Sequence, residues 1–95
     1  MNTVEMTLEK EIAGKVLEAL EPEHWMEDER FIRIRMKKIA GRKLCSVIFS
    51  KSALRKLFSD PDREIKLDYL RRDIARQARA RREYRYPRQF AFDMA

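Results

Sequence analysis

Hydrophobic residues recur every four positions near the start of the chain, at Leu8, Ile12, Val16 and Leu20. Charged residues fall between them, which is the pattern of an amphipathic helix with one buried face. The spacing predicts a helix over residues 7–20, with the hydroxyl of Thr7 as its N-cap.

Between residues 30 and 50 the apolar positions alternate with basic ones, which is typical of strands with one buried face. The apolar set is Ile32, Ile34, Met36, Cys45, Val47 and Phe49. All six share a face when paired residue numbers sum to 81, and a shift by one residue would split them over both faces. The pattern therefore predicts a β-hairpin over residues 30–50, closed by a two-residue Ala40–Gly41 turn or by a four-residue loop over 39–42.

The segment between this helix and this hairpin, residues 21–29, is acidic and is predicted to be a loop. Trp25 lies within it. Because an indole in water leaves a large apolar area exposed, we expect Trp25 to fold back onto the core.

Two helices follow the hairpin in the prediction. The first covers residues 51–59 and is capped by Ser50. The second covers residues 61–83 and starts at Asp60–Pro61, a strong start signal. Its apolar stripe is Leu67, Leu70, Ile74 and Ala78. Such a helix is roughly 33 Å long at about 1.5 Å per residue, so its last turns are expected to reach the domain edge or project beyond it.

Pro87 ends the helical pattern, because the residue before a proline is pushed towards an extended conformation. The remaining tail, residues 84–95, is predicted to be extended. Phe90 and Phe92 alternate in it, which suggests a third strand or an aromatic clasp.

These elements predict one small α+β domain covering residues 1–95. If the tail is a strand, the element order is similar to that of the bacterial-type KH RNA-binding domain. That family carries a Gly-x-x-Gly loop between its later helices, where this chain reads Ser59-Asp60-Pro61-Asp62. The resemblance therefore concerns element order alone, and we do not assign the chain to that family.

Charge divides the chain in two. The net charge is +6, but residues 1–29 hold nine acidic and two basic residues, whereas residues 30–95 hold twenty basic and seven acidic ones. Such asymmetry points to an interaction surface. The alternative is that the two halves neutralise each other in the fold.

Catalytic and cofactor signals are lacking in the sequence. His24 is the only histidine and Cys45 the only cysteine, so we expect no metal site, no cofactor and no disulfide. Gly14 and Gly41 are too far apart for a phosphate-binding loop. We expect a protein that is not an enzyme. Without a signal-peptide pattern or a membrane span, the expected location is the cytoplasm.

Arginine is the clearest functional signal. Eight arginines fall within eighteen positions: Arg71, Arg72, Arg76, Arg79, Arg81, Arg82, Arg85 and Arg88. Arginine suits phosphate because of its planar donor fork. The predicted contacts are Arg72, Arg76, Arg79, Arg82 and Arg85, with a second row at Arg33, Arg35 and Lys37, and Arg42 and Lys43 at the hairpin tip. Tyr84 and Tyr86 are candidates for stacking on unpaired bases. The alternative is that these aromatic side chains pack on the domain.

The function expected from these features is binding of nucleic acid through an arginine-rich helix and a basic hairpin face. The alternative is a protein-binding adaptor or inhibitor that docks on an acidic protein surface. As a further alternative, the helical arginines lie on a solvated helix face and form ion pairs with acidic residues of the same helix. A homodimer is a third possibility, and no membrane partner is expected.

Overall fold

Residues 8–87 are described by the computed structural model of the chain. Within this range three helices and four strands follow one another as α1 (Leu8–Leu17), β1 (Pro22–Glu27), β2 (Phe31–Met36), β3 (Ser46–Ser50), α2 (Lys51–Ser59), α3 (Arg63–Gln77) and β4 (Glu83–Tyr86). The fold is α+β in one small domain, as predicted. The predicted N-cap Thr7, Arg88 and the aromatic tail Gln89–Ala95 lie outside the described residues.

The strands form one sheet in the order β1-β2-β3-β4. The β1–β2 and β2–β3 pairs are antiparallel, and β4 runs parallel to β3. A parallel pair needs a long crossover connection, and α2 and α3 supply it here. The KH-like element order has only the two hairpin strands between the first and second helices. This chain has three strands there, because β1 precedes the hairpin.

All three helices pack on one face of the sheet. Their buried residues form a single core cluster with the inward side chains of the strands, including Ile32, Ile34, Val47 and Phe49. The outward side chains of the strands define what we call the open face, because no described helix covers it. They are His24, Met26, Phe31, Arg33, Arg35, Ser46, Ile48, Glu83 and Arg85.

The predicted hairpin register is confirmed. Ile32 pairs with Phe49 and Ile34 with Val47, so paired numbers sum to 81. The amide of Arg42 donates to the carbonyl of Ile39 over 3.1 Å, so residues 39–42 form a β-turn with Ala40 and Gly41 at its centre. Gly41 has φ of +85°, a value that suits glycine at the third position of a type II turn.

Cys45 does not lie on the apolar strand face, so that part of the prediction is wrong. β3 begins one residue later, and Cys45 is half-buried outside the core cluster. The reason is that Lys43 and Leu44 both donate their amides to the carbonyl of Ala78, which pulls the chain away from ideal strand geometry. Leu44 fills the core position instead.

The predicted acidic loop 21–29 is also wrong, because residues 22–27 form the edge strand β1. A bulge between Pro22 and His24 interrupts its pairing with β2. Trp25 lies opposite Ile34 and is packed, partly buried, against the core, as expected. The carboxylate of Glu27 accepts hydrogen bonds from two lysines of the helix layer, and these compensate its negative charge within the sheet.

The predicted helix 61–83 is too long at both ends. It begins at Arg63, because the carboxylate of Asp60 bonds the amide of Asp62 and forms a turn before the helix. It ends at Gln77, and residues 78–82 turn the chain back into β4. The helix therefore does not project from the domain. α1 similarly ends at Leu17 rather than at residue 20.

The short helix was predicted correctly. α2 covers Lys51–Ser59, and the hydroxyl of Ser50 accepts the amide of Ala53 over 3.3 Å. The tail was predicted correctly in part, because β4 supplies an additional strand at its beginning.

Tyr84 joins β4 to α3. It is 3% exposed, and its hydroxyl donates a hydrogen bond to the carboxylate of Asp73, which is itself 5% exposed. We expect Tyr84→Phe to lower the free energy of unfolding by about 1–3 kcal/mol, because it removes a donor from a buried carboxylate. Urea denaturation followed by far-UV circular dichroism measures this. The control Tyr69→Phe is on an exposed tyrosine whose hydroxyl contacts Arg76 rather than the buried carboxylate, so it should change stability by less.

The burial of side chains on the inner face of the sheet predicts a second effect of mutation on stability. Val47 is fully buried opposite Ile34, so Val47→Asp should destabilise the domain by several kcal/mol by burying an unpaired charge. Ser46→Asp, one residue earlier and on the open face, is the control. Equal stability losses for both variants would contradict the assignment of the two faces.

Candidate nucleic-acid interface

The pairing register aligns the open face into two rows that cross all four strands. One row is Met26, Arg33, Ile48 and Arg85, and the other is His24, Arg35, Ser46 and Glu83. Neighbouring strands lie about 4.8 Å apart, so each row spans roughly 15 Å. Three arginines from two non-adjacent strands therefore share one surface.

The centre of the open face is apolar. A depression of about 400 Å³ is lined by Met26, Phe31 and Ile48, with Arg33 and Arg85 on its wall beside two carboxylates that are already hydrogen-bonded, those of Glu27 and Asp28. The side chain of Met26 is 50% exposed, whereas Ile48 is 5% exposed. Ile48 lies outside the core cluster although it is buried, because its neighbours on the open face cover it. An apolar floor beside guanidinium groups can receive a flat, partly hydrophobic and negatively charged ligand.

A second depression of about 650 Å³ adjoins the first, since Met26 and Arg33 line both. His24, Arg35, two lysines (Lys37 and Lys38) and one acid, Glu23, also line it. The open face is therefore one continuous shallow surface on which basic residues outnumber acidic ones in the second depression.

Two carboxylates at the rim of this surface, Glu27 and Glu83, are already engaged, whereas Glu23, which lines the second depression, is in no ion pair of residues 8–87. Glu27 accepts from Lys10 at 2.5 Å and from Lys51 at 2.6 Å, and Glu83 lies 3.2 Å from Arg85. By contrast, neither Arg33 nor Arg35 takes part in an ion pair with any residue from 8 to 87. Both are exposed. Their charge is thus available to a ligand.

The arginines predicted on the long helix do not form one ridge. Arg72 and Arg76 lie on α3, but Arg79 is in the turn after it and Arg82 precedes β4. All four are exposed. Arg72 bonds Asp68 at 3.1 Å, and Arg76 bonds Asp73 at 2.5 Å, which raises the pKa of Arg76. Because α3 belongs to the helix layer, Arg72 and Arg76 are not continuous with Arg33 and Arg35.

The hairpin-tip residues differ in their exposure. Lys37 and Lys43 are exposed, as predicted for a contact surface. Arg42 is half-buried, and its guanidinium donates to the carbonyl of Lys37, so it is not an exposed tip cation.

The two tyrosines predicted to stack on bases face the core instead. Tyr84 is buried, and Tyr86 packs edge-on against Phe49 with ring centroids 6.2 Å apart. Burial raises the pKa of Tyr86. They are oriented this way because alternate residues of β4 face the core. The tail was predicted to be extended, but the face on which its tyrosines lie was not predicted.

Sequence reasoning missed the apolar centre of the open face. Met26 was missed because β1 was predicted to be a loop. Phe31 and Ile48 were missed because only one face of the hairpin was expected to carry apolar residues. The alternation of His24 and Met26 with Trp25 was the available signal for β1.

His24, Cys45 and Ser46 line the same depression, and these are residue types that occur in catalytic sites. Within the described part of the chain, however, no hydrogen bond links His24 to either of them. The thiol of Cys45 lies 3.4 Å from the carbonyl of Lys43, a hydrogen-bond contact. No cluster of three His, Cys, Asp or Glu residues among residues 8–87 could hold a metal ion.

Comparisons with protein-family models, with curated proteins and with solved structures found no match. Among the helices of residues 8–87, none has the length and apolar character needed to cross a membrane.

The Glu27 cluster at the edge of the open face predicts a pH dependence. Hydrogen bonds from Lys10 and Lys51 hold the pKa of Glu27 below its ordinary value of 4.5. A carboxyl group whose pKa is lowered by folding stabilises the fold at pH values above its ordinary pKa. This stabilisation is lost as the pH falls through the lowered pKa. We expect Glu27→Gln to be less stable than wild type at pH 7, with the difference vanishing in acid. Urea titrations at several pH values measure this. Glu23→Gln, on the same strand and outside any ion pair of the described residues, should show no such trend.

Proposed function

We propose that this chain is a non-catalytic binding protein that takes up nucleic acid on the open face. The observation that carries the proposal is the pair of exposed arginines, Arg33 and Arg35, which lack an ion-pair partner within residues 8–87. Arg33 borders the first depression with its apolar floor, and both arginines border the second. Guanidinium offers paired donors in one plane, which fit the oxygens of a phosphate group.

Single-stranded nucleic acid suits this surface better than a duplex. Unpaired bases present flat apolar faces, which the depression formed by Met26 and Phe31 could receive while Arg33 and Arg85 contact the backbone. Four-stranded sheets with an uncovered face are a known platform for single strands. A duplex would offer its phosphates but hide its bases from the apolar floor.

The helical arginines support a smaller share of the binding. Arg72 and Arg76 each already bond a carboxylate of their own helix, so releasing them to a phosphate would break an existing ion pair. Their predicted contact with a polyanion stays a prediction. Arg79 and Arg82 remain additional candidates near β4.

Fluorescence anisotropy with labelled single-stranded DNA and RNA of mixed sequence, at two salt concentrations, tests the proposal. We expect Arg33→Ala with Arg35→Ala to weaken binding. The log–log salt slope should become shallower by about 1.4, since each phosphate contact on a single strand contributes about 0.7. Circular dichroism checks that the variant is folded.

The matched variant removes two charges elsewhere, Arg72→Ala with Arg79→Ala. A larger loss for this pair than for the sheet pair would assign the binding to the helix layer instead. If wild type binds no nucleic acid even at low salt, the proposal fails, and an adaptor that binds an acidic protein surface becomes the favoured function.

A further inference from the structure

The outer surface of α3 carries an exposed row of side chains that lies apart from the open face. Ile65 is 71% exposed and Tyr69 is 66% exposed, the highest values among the large apolar residues of the described chain. Arg72 and Arg76 continue the row, with side chains 79% and 67% exposed. We call these four residues the α3 seam.

The spacing of the α3 seam is that of a coiled-coil contact. Its members are separated by four, three and four residues, which places them on one line of the helix surface. That line is opposite the buried stripe of Leu67, Leu70 and Ile74. At about 1.5 Å per residue the seam is roughly 16 Å long. A second helix can therefore lie along it.

The charges of the α3 seam favour a neutral partner. Arg72 is bonded to Asp68 at 3.1 Å, and Arg76 to Asp73 at 2.5 Å, so each seam arginine already has a carboxylate beside it. An acidic partner would have to compete with these carboxylates. Two copies of the seam, by contrast, can approach without strong repulsion, and tyrosine, arginine and isoleucine are residue types common at protein interfaces.

We propose that the α3 seam is the contact surface between two copies of this chain, with the two helices antiparallel about a two-fold axis. In a register where facing residue numbers sum to 141, Tyr69 of one copy meets Arg72 of the other, and Ile65 meets Arg76. Both kinds of contact occur twice by symmetry. Each arginine stacks on the tyrosine ring or covers the isoleucine with its methylene stem.

This dimer is independent of the nucleic-acid proposal, because the α3 seam belongs to the helix layer and the open face to the other side of the sheet. Dimerisation leaves the open face of both copies uncovered. A single pair of short helices makes a small interface, so the dimer is of the weak, concentration-dependent class.

Sedimentation velocity over a wide range of protein concentration, on nuclease-treated protein at physiological salt, tests the dimer. We expect wild type to shift from monomer to dimer as concentration rises. Tyr69→Arg should abolish the shift, because it sets two arginines against each other in the proposed register. Ala75→Glu, an exposed change on the same helix away from the seam, is the control and should dimerise like wild type.

The register is tested by an exchange. Combining Tyr69→Arg with Arg72→Tyr restores the facing pair with its members swapped, so the double variant should regain dimerisation that Tyr69→Arg alone has lost. Backbone amide NMR spectra on dilution should change for residues 65–76 and little elsewhere. A monomer at every concentration, a dimer indifferent to Tyr69→Arg, or a double variant that stays monomeric would overturn the proposal, whatever the outcome of the nucleic-acid titrations.

Discussion

The hydrogen bond between Tyr84 and the buried carboxylate of Asp73 is the contact on which the layout of the second half of the chain depends. A carboxylate that is 5% exposed is strongly unfavourable unless hydrogen bonds satisfy it. Tyr84 and Arg76 both donate to it. Because Tyr84 must reach α3 from the sheet, α3 has to end early enough for residues 83–86 to return alongside β3.

The return of the chain decides where the positive charge lies. Inward-facing Tyr84 places Arg85 on the opposite side of β4, next to Ile48 and two strands from Arg33. There Arg85 forms an ion pair with Glu83. The same carboxylate that accepts from Tyr84 also pairs with Arg76, and it thereby reduces the positive charge on the surface of α3.

The local pattern of apolar and capping residues predicted the elements whose buried residues are close in sequence. Six apolar residues defined the hairpin register, and Ser50 marked the start of α2. The end of α3 could not be foretold, because the alanines and arginines of residues 78–82 are good helix formers without glycine or proline. Tertiary bonds to the carbonyls of Ala78 and Arg82 override that propensity. β1 was missed because its pairing with β2, rather than its own composition, makes it a strand.

The candidate site shows why a count of charges was a poor guide to its location. The second half of the chain has an excess of thirteen positive charges, and most of the arginines behind that number are in residues 71–88. In the folded chain, helix spacing sets Asp68 and Asp73 beside Arg72 and Arg76, since residues three or four apart on a helix are neighbours. On a strand the neighbours come from other strands. Glu27 of β1 is bonded to lysines of the helix layer, and Glu23 lines the same depression as Arg33 but forms no ion pair with it. The sheet therefore has fewer arginines than the helix but leaves them less neutralised, and the free charge, rather than the total, is what a polyanion would meet.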